Sequence, residues 1–333
     1  MEANTTETHV KLFSRDPSVI FAFLGIDLIA GAGLFFYLLV IVAILRNRQQ
    51  FKSTFYTLII SMGFADIGCL VLHFIFLNAG NIYGEETFNP WYILVCGVVW
   101  ECFNNASTNH IFYIALNRLL AVFKPQVYEN YFNKIVMTAI VGSSYLIEVF
   151  YSLLMLYCTS EIHTFDLKYA GSFKPKSCAR LTYKGRQIQD IVCIVASLTV
   201  NLITFAKVRH IRSKTSVGAA DVTKKEMKML FQFTSIFVIW GIKSPVFWMC
   251  ALWLPPGSIW MNLLNTFMFT VHCSVNPFLL LVFGSDIKKA VFSRFAAAIV
   301  TPIQSTQTKP TGHNRTNATQ PPSSLVNECG GKP

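Results

Sequence analysis

Seven apolar runs, each long enough to cross a bilayer, divide this chain and leave little choice of fold. They lie at about 19–45, 53–79, 91–123, 135–158, 188–208, 227–254 and 258–283. A helix that spans the hydrocarbon needs about 20 predominantly apolar residues. Composition agrees: 53% of residues are hydrophobic and only 14% charged, against about 25% charged in soluble domains. The expected class is an all-α membrane protein, a seven-transmembrane helix bundle with a short amphipathic eighth helix. Pro and Gly punctuate the loops at Gly84, Pro90, Pro125 and Pro255-Pro256-Gly257.

Orientation follows from lysine and arginine. With the N-terminus outside, sixteen of them fall in the inner segments, centred on Arg46–Lys52, Arg118–Lys134, Lys207–Lys228 and Lys288–Arg294. Eight fall outside: Lys11, Arg15 and six in Lys168–Arg186. That bias places the N-terminus outside. The chain then divides into an extracellular N-terminus (1–18), the bundle (19–283), and an amphipathic helix with a disordered cytoplasmic tail (284–333). Residues 1–18 are polar, so the first span is expected to target the chain without a cleaved signal. Ile287, Ala290, Val291 and Phe295 share a face beside Lys288 and Lys289, suited to the inner leaflet. Much of the net charge of +11 sits in these short segments, so no nucleic-acid partner is expected. Membrane lipid is the surrounding medium. The sequon at Asn4 lies on the outer side, open to glycosylation.

The third run, CGVVWECFNNASTNHIFYIALNRLLAVFKP from Cys96, carries Glu101, Asn104 and Thr108 at helical spacing. A polar stripe is shielded from lipid, so this helix is read as the central post, with Arg118 at its inner end. Asp66 lies mid-way along the second run. Asn262, Asn265, His272 and Asn276 share a face of the seventh. The plain reading is interhelical hydrogen bonding, worth about 1 kcal/mol each. The sharper one is an ion- or water-linked switch around Asp66 and Asn276. Lys243 sits mid-span, two residues before Pro245, which removes a backbone donor and bends its helix. A lysine there needs an acid, carbonyls or water. Glu101 and Glu148 are the acids within reach, an acidic or carbonyl ligand is an alternative, and a Schiff base is the remote one.

Cys96 precedes Arg118 by 22 residues, about 33 Å of helix, one bilayer core. That puts it at the outer surface, facing the loop that holds Cys178. A Cys96–Cys178 disulfide is expected, with Cys158 the rival partner and three unbridged thiols the alternative. No phosphate loop, metal-ligand spacing or catalytic motif is present, so neither a cofactor nor an enzymatic activity is expected.

Asn117-Arg118-Leu119 closing the third helix and Asn276-Pro277 near the end of the seventh resemble rhodopsin-like G protein-coupled receptors. The segments NNASTNHIFYIALNRLLAVFKPQVYENYF, LITFAKVRHIR, KKEMKMLFQFTSIFV and VHCSVNPFLLLVFGSDIKK look more specifically like the nematode serpentine chemoreceptors of class X. The resemblance implies a plasma-membrane receptor, a sensory cilium among its locations, for an unknown small-molecule or peptide ligand. It also implies a heterotrimeric G protein engaged by Asn117 and Arg118, and switch residues Asp66, Pro245, Asn276 and Pro277. Trp100, Glu101, Asn104, Lys243, Phe247 and Asn265 are the candidate pocket.

The sequence departs from the broader family pattern at several of these positions. Asn117 stands where an acid is usual, Leu280 where a tyrosine is, and Tyr37 where an asparagine is common. Lys243 replaces a tryptophan. Trp100 occupies the aminergic aspartate position, which argues against an amine ligand. A peptide receptor and, more remotely, an ion transporter or channel are the alternatives.

Overall fold

The structure, a computed structural model, describes residues 17–78, 88–159, 165–166, 172–173, 177–214 and 259–300, with isolated positions between 227 and 242. The helices are α1 (Pro17–Arg46), α2 (Thr54–Leu72, continued by a π turn His73–Asn78), α3 (Pro90–Phe123), α4 (Pro125–Tyr131) and α5 (Lys134–Thr159). They are followed by α6 (Ser177–Lys214), α7 (Ile259–Phe283) and α8 (Ser285–Val300). Between α5 and α6, β1 (Phe165–Asp166) pairs antiparallel with β2 (Ser172–Phe173), Phe165 opposite Phe173. Residues Met1–Ser293 form one compact unit that holds the bundle. Arg294–Pro333 form a second, whose described residues are the last turns of α8.

Local signals explain the helix ends. Ser53 caps α2 at the Phe55 N–H, and Asn89 caps α3 by accepting from the Trp91 N–H at 2.9 Å, with Pro90 in the first turn. Asn133 accepts from the Val136 N–H at 2.9 Å and opens α5. Pro125 cannot continue α3, so the chain restarts there as α4. At the α7–α8 junction a Cβ on Gly284 would strike the Leu280 carbonyl, so glycine keeps that corner tight. α8 buries Ile287, Ala290 and Val291 in the same cluster as Phe55, Ile59, Ile114 and Leu280.

Among the described residues, five helices are long and apolar enough to cross a membrane: Pro17–Arg46, Thr54–Phe76, Lys134–Cys158, Lys184–Ile211 and Leu263–Phe283. α3 is long enough at 34 residues but is diluted by the run from Asn104 to His110. Among the described residues it packs on α2, α5 and α6. Those contacts hide its polar side chains: Asn104, Asn105, Ser107, Thr108, Asn109 and His110 are all buried. α5 and α6 instead expose apolar flanks, among them Leu146, Phe150, Leu153, Ile191, Val195 and Leu202, the faces a bilayer covers. The fifth apolar run, expected at 188–208, is thus the interior of a much longer helix.

Small residues set the closest approaches, as usual between helices in lipid. α1 packs along α7, and a Cβ on Gly33 would overlap the Ser274 backbone. Gly25 has open space at the same position. Gly33→Val is therefore expected to separate α1 from α7 at a cost of about 1–3 kcal/mol, lowering the thermal unfolding midpoint in detergent. Gly25→Val is the control that leaves it unchanged.

Candidate functional site

Three polar clusters surround α3. The first is built on Asp66, fully buried on α2. Its carboxylate accepts from the Tyr37 hydroxyl on α1, the Ser107 hydroxyl on α3 at 2.6 Å and the Asn276 amide on α7 at 2.7 Å. Every partner donates, the pattern of an ionised carboxylate. One side chain thereby ties four helices. The sequence singled out Asp66 and Asn276, and the structure brings them together. It also explains Tyr37: its long side chain carries a hydroxyl across the interface to the same acid.

The second cluster is built on Glu148, fully buried on α5. One carboxylate oxygen accepts from Asn109 of α3 at 2.8 Å and Gln189 of α6 at 3.1 Å. The other pairs with the Arg186 guanidinium of α6. Glu148 is thus engaged by Arg186. This corrects one expectation: Arg186, counted among the loop charges, is buried inside the bundle because α6 begins as early as Ser177. The third cluster is neutral. His110 Nδ1 donates to the Ala106 carbonyl at 2.6 Å, leaving Nε2 to accept from the Ser61 hydroxyl at 2.7 Å. The Tyr145 hydroxyl donates to the Ser61 carbonyl at 2.8 Å.

The expected stripe of Glu101, Asn104 and Thr108 is only part of α3's polarity. Its members bond locally: Asn105 donates to Glu101 and Asn104 donates to Asn105, while Thr108 donates to the Asn104 carbonyl. Ser107, Asn109 and His110 point to other helices. The signal lay in the sequence, since six polar residues in the seven from 104 to 110 span two turns and cannot share a face.

A small cavity lies between α2, α3 and α7, lined by Cys69, Leu70, His73, Trp100, Thr266, Phe269, Thr270 and Cys273. Trp100 stacks on Phe269 with centroids 4.2 Å apart, and His73 Nε2 meets the Asp27 carboxylate at 3.0 Å. Of the expected pocket residues, Trp100 lines this cavity, whereas Glu101, Asn104 and Asn265 do not. Lys243, Pro245 and Phe247 lie outside the described residues, as does Asn4. The Cys96–Cys178 bridge is not formed: Cys96 is a thiol, and among the described residues Cys158 is disulfide-bonded. α3 starts at Pro90, within one residue of the expected run, so depth along the helix was read correctly but did not name the partner across from it. Cys96 therefore sits about 9 Å inside the helix end, next to Tyr92 of its own helix. The side chain of Cys178 lies outside the described residues.

At the other end of α3, Asn117 takes the place of the usual acid and makes neutral bonds. It accepts from the Tyr128 hydroxyl of α4 at 3.0 Å and donates to Thr54 of α2 at 3.4 Å; Tyr128 and Thr54 also meet at 2.9 Å. Arg118 is buried, its guanidinium 3.5 Å from the centroid of the Phe55 ring, a cation–π contact.

The two acid clusters make different predictions. Tyr37→Phe removes one donor from a buried carboxylate and is expected to cost about 1–3 kcal/mol, read as a lower unfolding midpoint in detergent. Glu148→Ala leaves Arg186 buried without its counter-charge, an expected loss of about 3–5 kcal/mol. The double variant Glu148→Leu/Arg186→Met is expected to recover most of that loss, and a double-mutant cycle measures the coupling.

Comparison with individual curated proteins returns no match. A sequence model of the family described as serpentine type 7TM GPCR chemoreceptor Srx matches residues 28–284. The matched segment begins in α1, ends at Gly284 and contains all three polar clusters, Arg118 and Asn276. The chain is a multi-pass membrane protein and belongs to the serpentine 7TM GPCR chemoreceptor family Srx.

Proposed function

We propose that this receptor binds an external ligand within its bundle and passes the event to a heterotrimeric G protein at the Arg118 end. One alignment along the bundle carries the reading. The cavity with Trp100 adjoins the Asp66 cluster through Cys69 and Cys273, each one turn from Asp66 or Asn276. Ser107 of that cluster lies 11 residues from Arg118, about 16 Å along α3. A ligand that shifts α7 against α2 disturbs bonds shared with α3, and a packed two-state bundle converts such small shifts into larger ones.

The N-terminus lies outside. With Arg186 withdrawn into the bundle, the loop charges favour that orientation further. Residues 19–283 form the membrane bundle, α8 lies along the inner leaflet, and the receptor works at the plasma membrane. Lys207–Lys228 flanks the G protein, and Pro245 supplies the bend about which the sixth span moves. Phe55 holds Arg118 in the resting state, in place of the acid that Asn117 replaces.

The test is expression in a heterologous cell with a G protein readout and a chemical library. Ligand-dependent signalling lost in Arg118→Ala supports the reading; signalling that survives this substitution removes Arg118 from the mechanism. Activation only by peptides would make this a peptide receptor, and substrate-dependent current without G protein would make it a transporter. Phe55→Leu weakens a contact worth about 1 kcal/mol, so basal signalling is expected to rise about fivefold. Epitope tags on the two termini of intact cells are expected to stain on opposite sides, the N-terminal one outside.

A further inference from the structure

The α2–α7 seam carries a second pairing beside the hydrogen bond from Asn276 to Asp66. Cys69 lies three residues on from Asp66 and Cys273 three residues back from Asn276, the register of antiparallel helices. Both cysteines line one cavity with His73 and Phe269. Cys69 and Cys273 belong to one buried cluster and are both thiols. Each sulfur has close polar neighbours: Cys69 Sγ lies 3.9 Å from the Trp100 carbonyl and within hydrogen-bonding reach of the Cys273 thiol.

Two thiols in contact across a helix seam are more than packing. A buried lone cysteine is a small hydrophobe, but a pair can exchange two protons and two electrons for a sulfur–sulfur bond. The cavity they share has room for about one water-sized molecule. A small oxidant fits this space. His73, the imidazole in the lining, is braced by Asp27, so the cavity has a polar wall that a hydrogen-bonding guest can use.

We propose that Cys69 and Cys273 form a peroxide-responsive pair, closed to a disulfide by a small peroxide such as hydrogen peroxide entering this cavity. One thiol sulfur attacks a peroxide oxygen and the O–O bond breaks. The departing hydroxide leaves as water with the thiol proton, giving a sulfenic acid. The second thiol attacks the sulfenic sulfur and releases another water. Two thiols are oxidised by two electrons and one peroxide is reduced to two waters. The new bond crosses the seam one turn from the Asp66–Asn276 hydrogen bond and fixes α2 to α7 there.

The experiment uses the full-length receptor in membranes and hydrogen peroxide itself. After treatment, remaining thiols are blocked under denaturing conditions, and proteolytic peptides are read by mass spectrometry with and without reductant. The expected result is a reductant-sensitive Cys69–Cys273 cross-link as the main peroxide product. It should be lost in Cys69→Ser and in Cys273→Ser and kept in Cys96→Ser. Two thiols that stay alkylatable, or that are oxidised singly without a cross-link, overturn the proposal. The readout needs no G protein, so a receptor silent in signalling leaves it standing, and unreactive thiols leave the coupling proposal standing.

Discussion

A carboxylate at membrane depth is tolerable only when it is surrounded by donors, and Asp66 is the case on which this bundle turns. Its two oxygens accept from Tyr37, Ser107 and Asn276, so the positions of α1, α2, α3 and α7 are fixed relative to one another by one side chain. Each bond alone contributes on the order of 1 kcal/mol in a membrane. Their joint effect is specificity, because any rotation of the four helices strands a charge in a medium that cannot hydrate it.

The opposite side of α3 solves a similar problem differently. Glu148 is paired with a cation, Arg186, and trimmed by the amides of Asn109 and Gln189. Such a pair gains little net stability over apolar packing, but losing one member is severe. The bundle is thus held from two sides of one helix: a carboxylate with neutral donors toward α1, α2 and α7, and an ion pair toward α5 and α6. Ser107 and Asn109 are two residues apart on α3 and face these opposite partners. That geometry makes α3 the element through which either side feels the other.

The helix end near Arg118 shows how a departure from a family pattern can be absorbed. Asn117 cannot form an ion pair with a neighbouring arginine. It instead joins α3 to α2 and α4 through Thr54 and Tyr128, and the guanidinium rests on Phe55. A ring meets a guanidinium through its face, a less directional contact than the one a carboxylate offers.

The apolar runs, the interior place of the third one, and the burial of Asp66 and Asn276 were legible in the chain. Hydropathy length and the cost of lipid-facing polar groups are local properties that survive without a structure. Apart from Asp66 with Asn276, which group meets which was not legible. Sequence spacing gives the face of a helix but not the neighbour opposite it. So Arg186 read as a loop charge until α6 proved long enough to bring it inside to Glu148, and Tyr37 read as a departure until α1 was seen against α2 and α7. The cysteine bridge failed for the same reason, since counting from Arg118 gives the depth of Cys96 but not the group opposite it. The amino-acid order determined that helices must cross a membrane and which side chains could not face it. Only the packing decided their partners, because burial of a charge is settled by contacts between segments far apart in the chain.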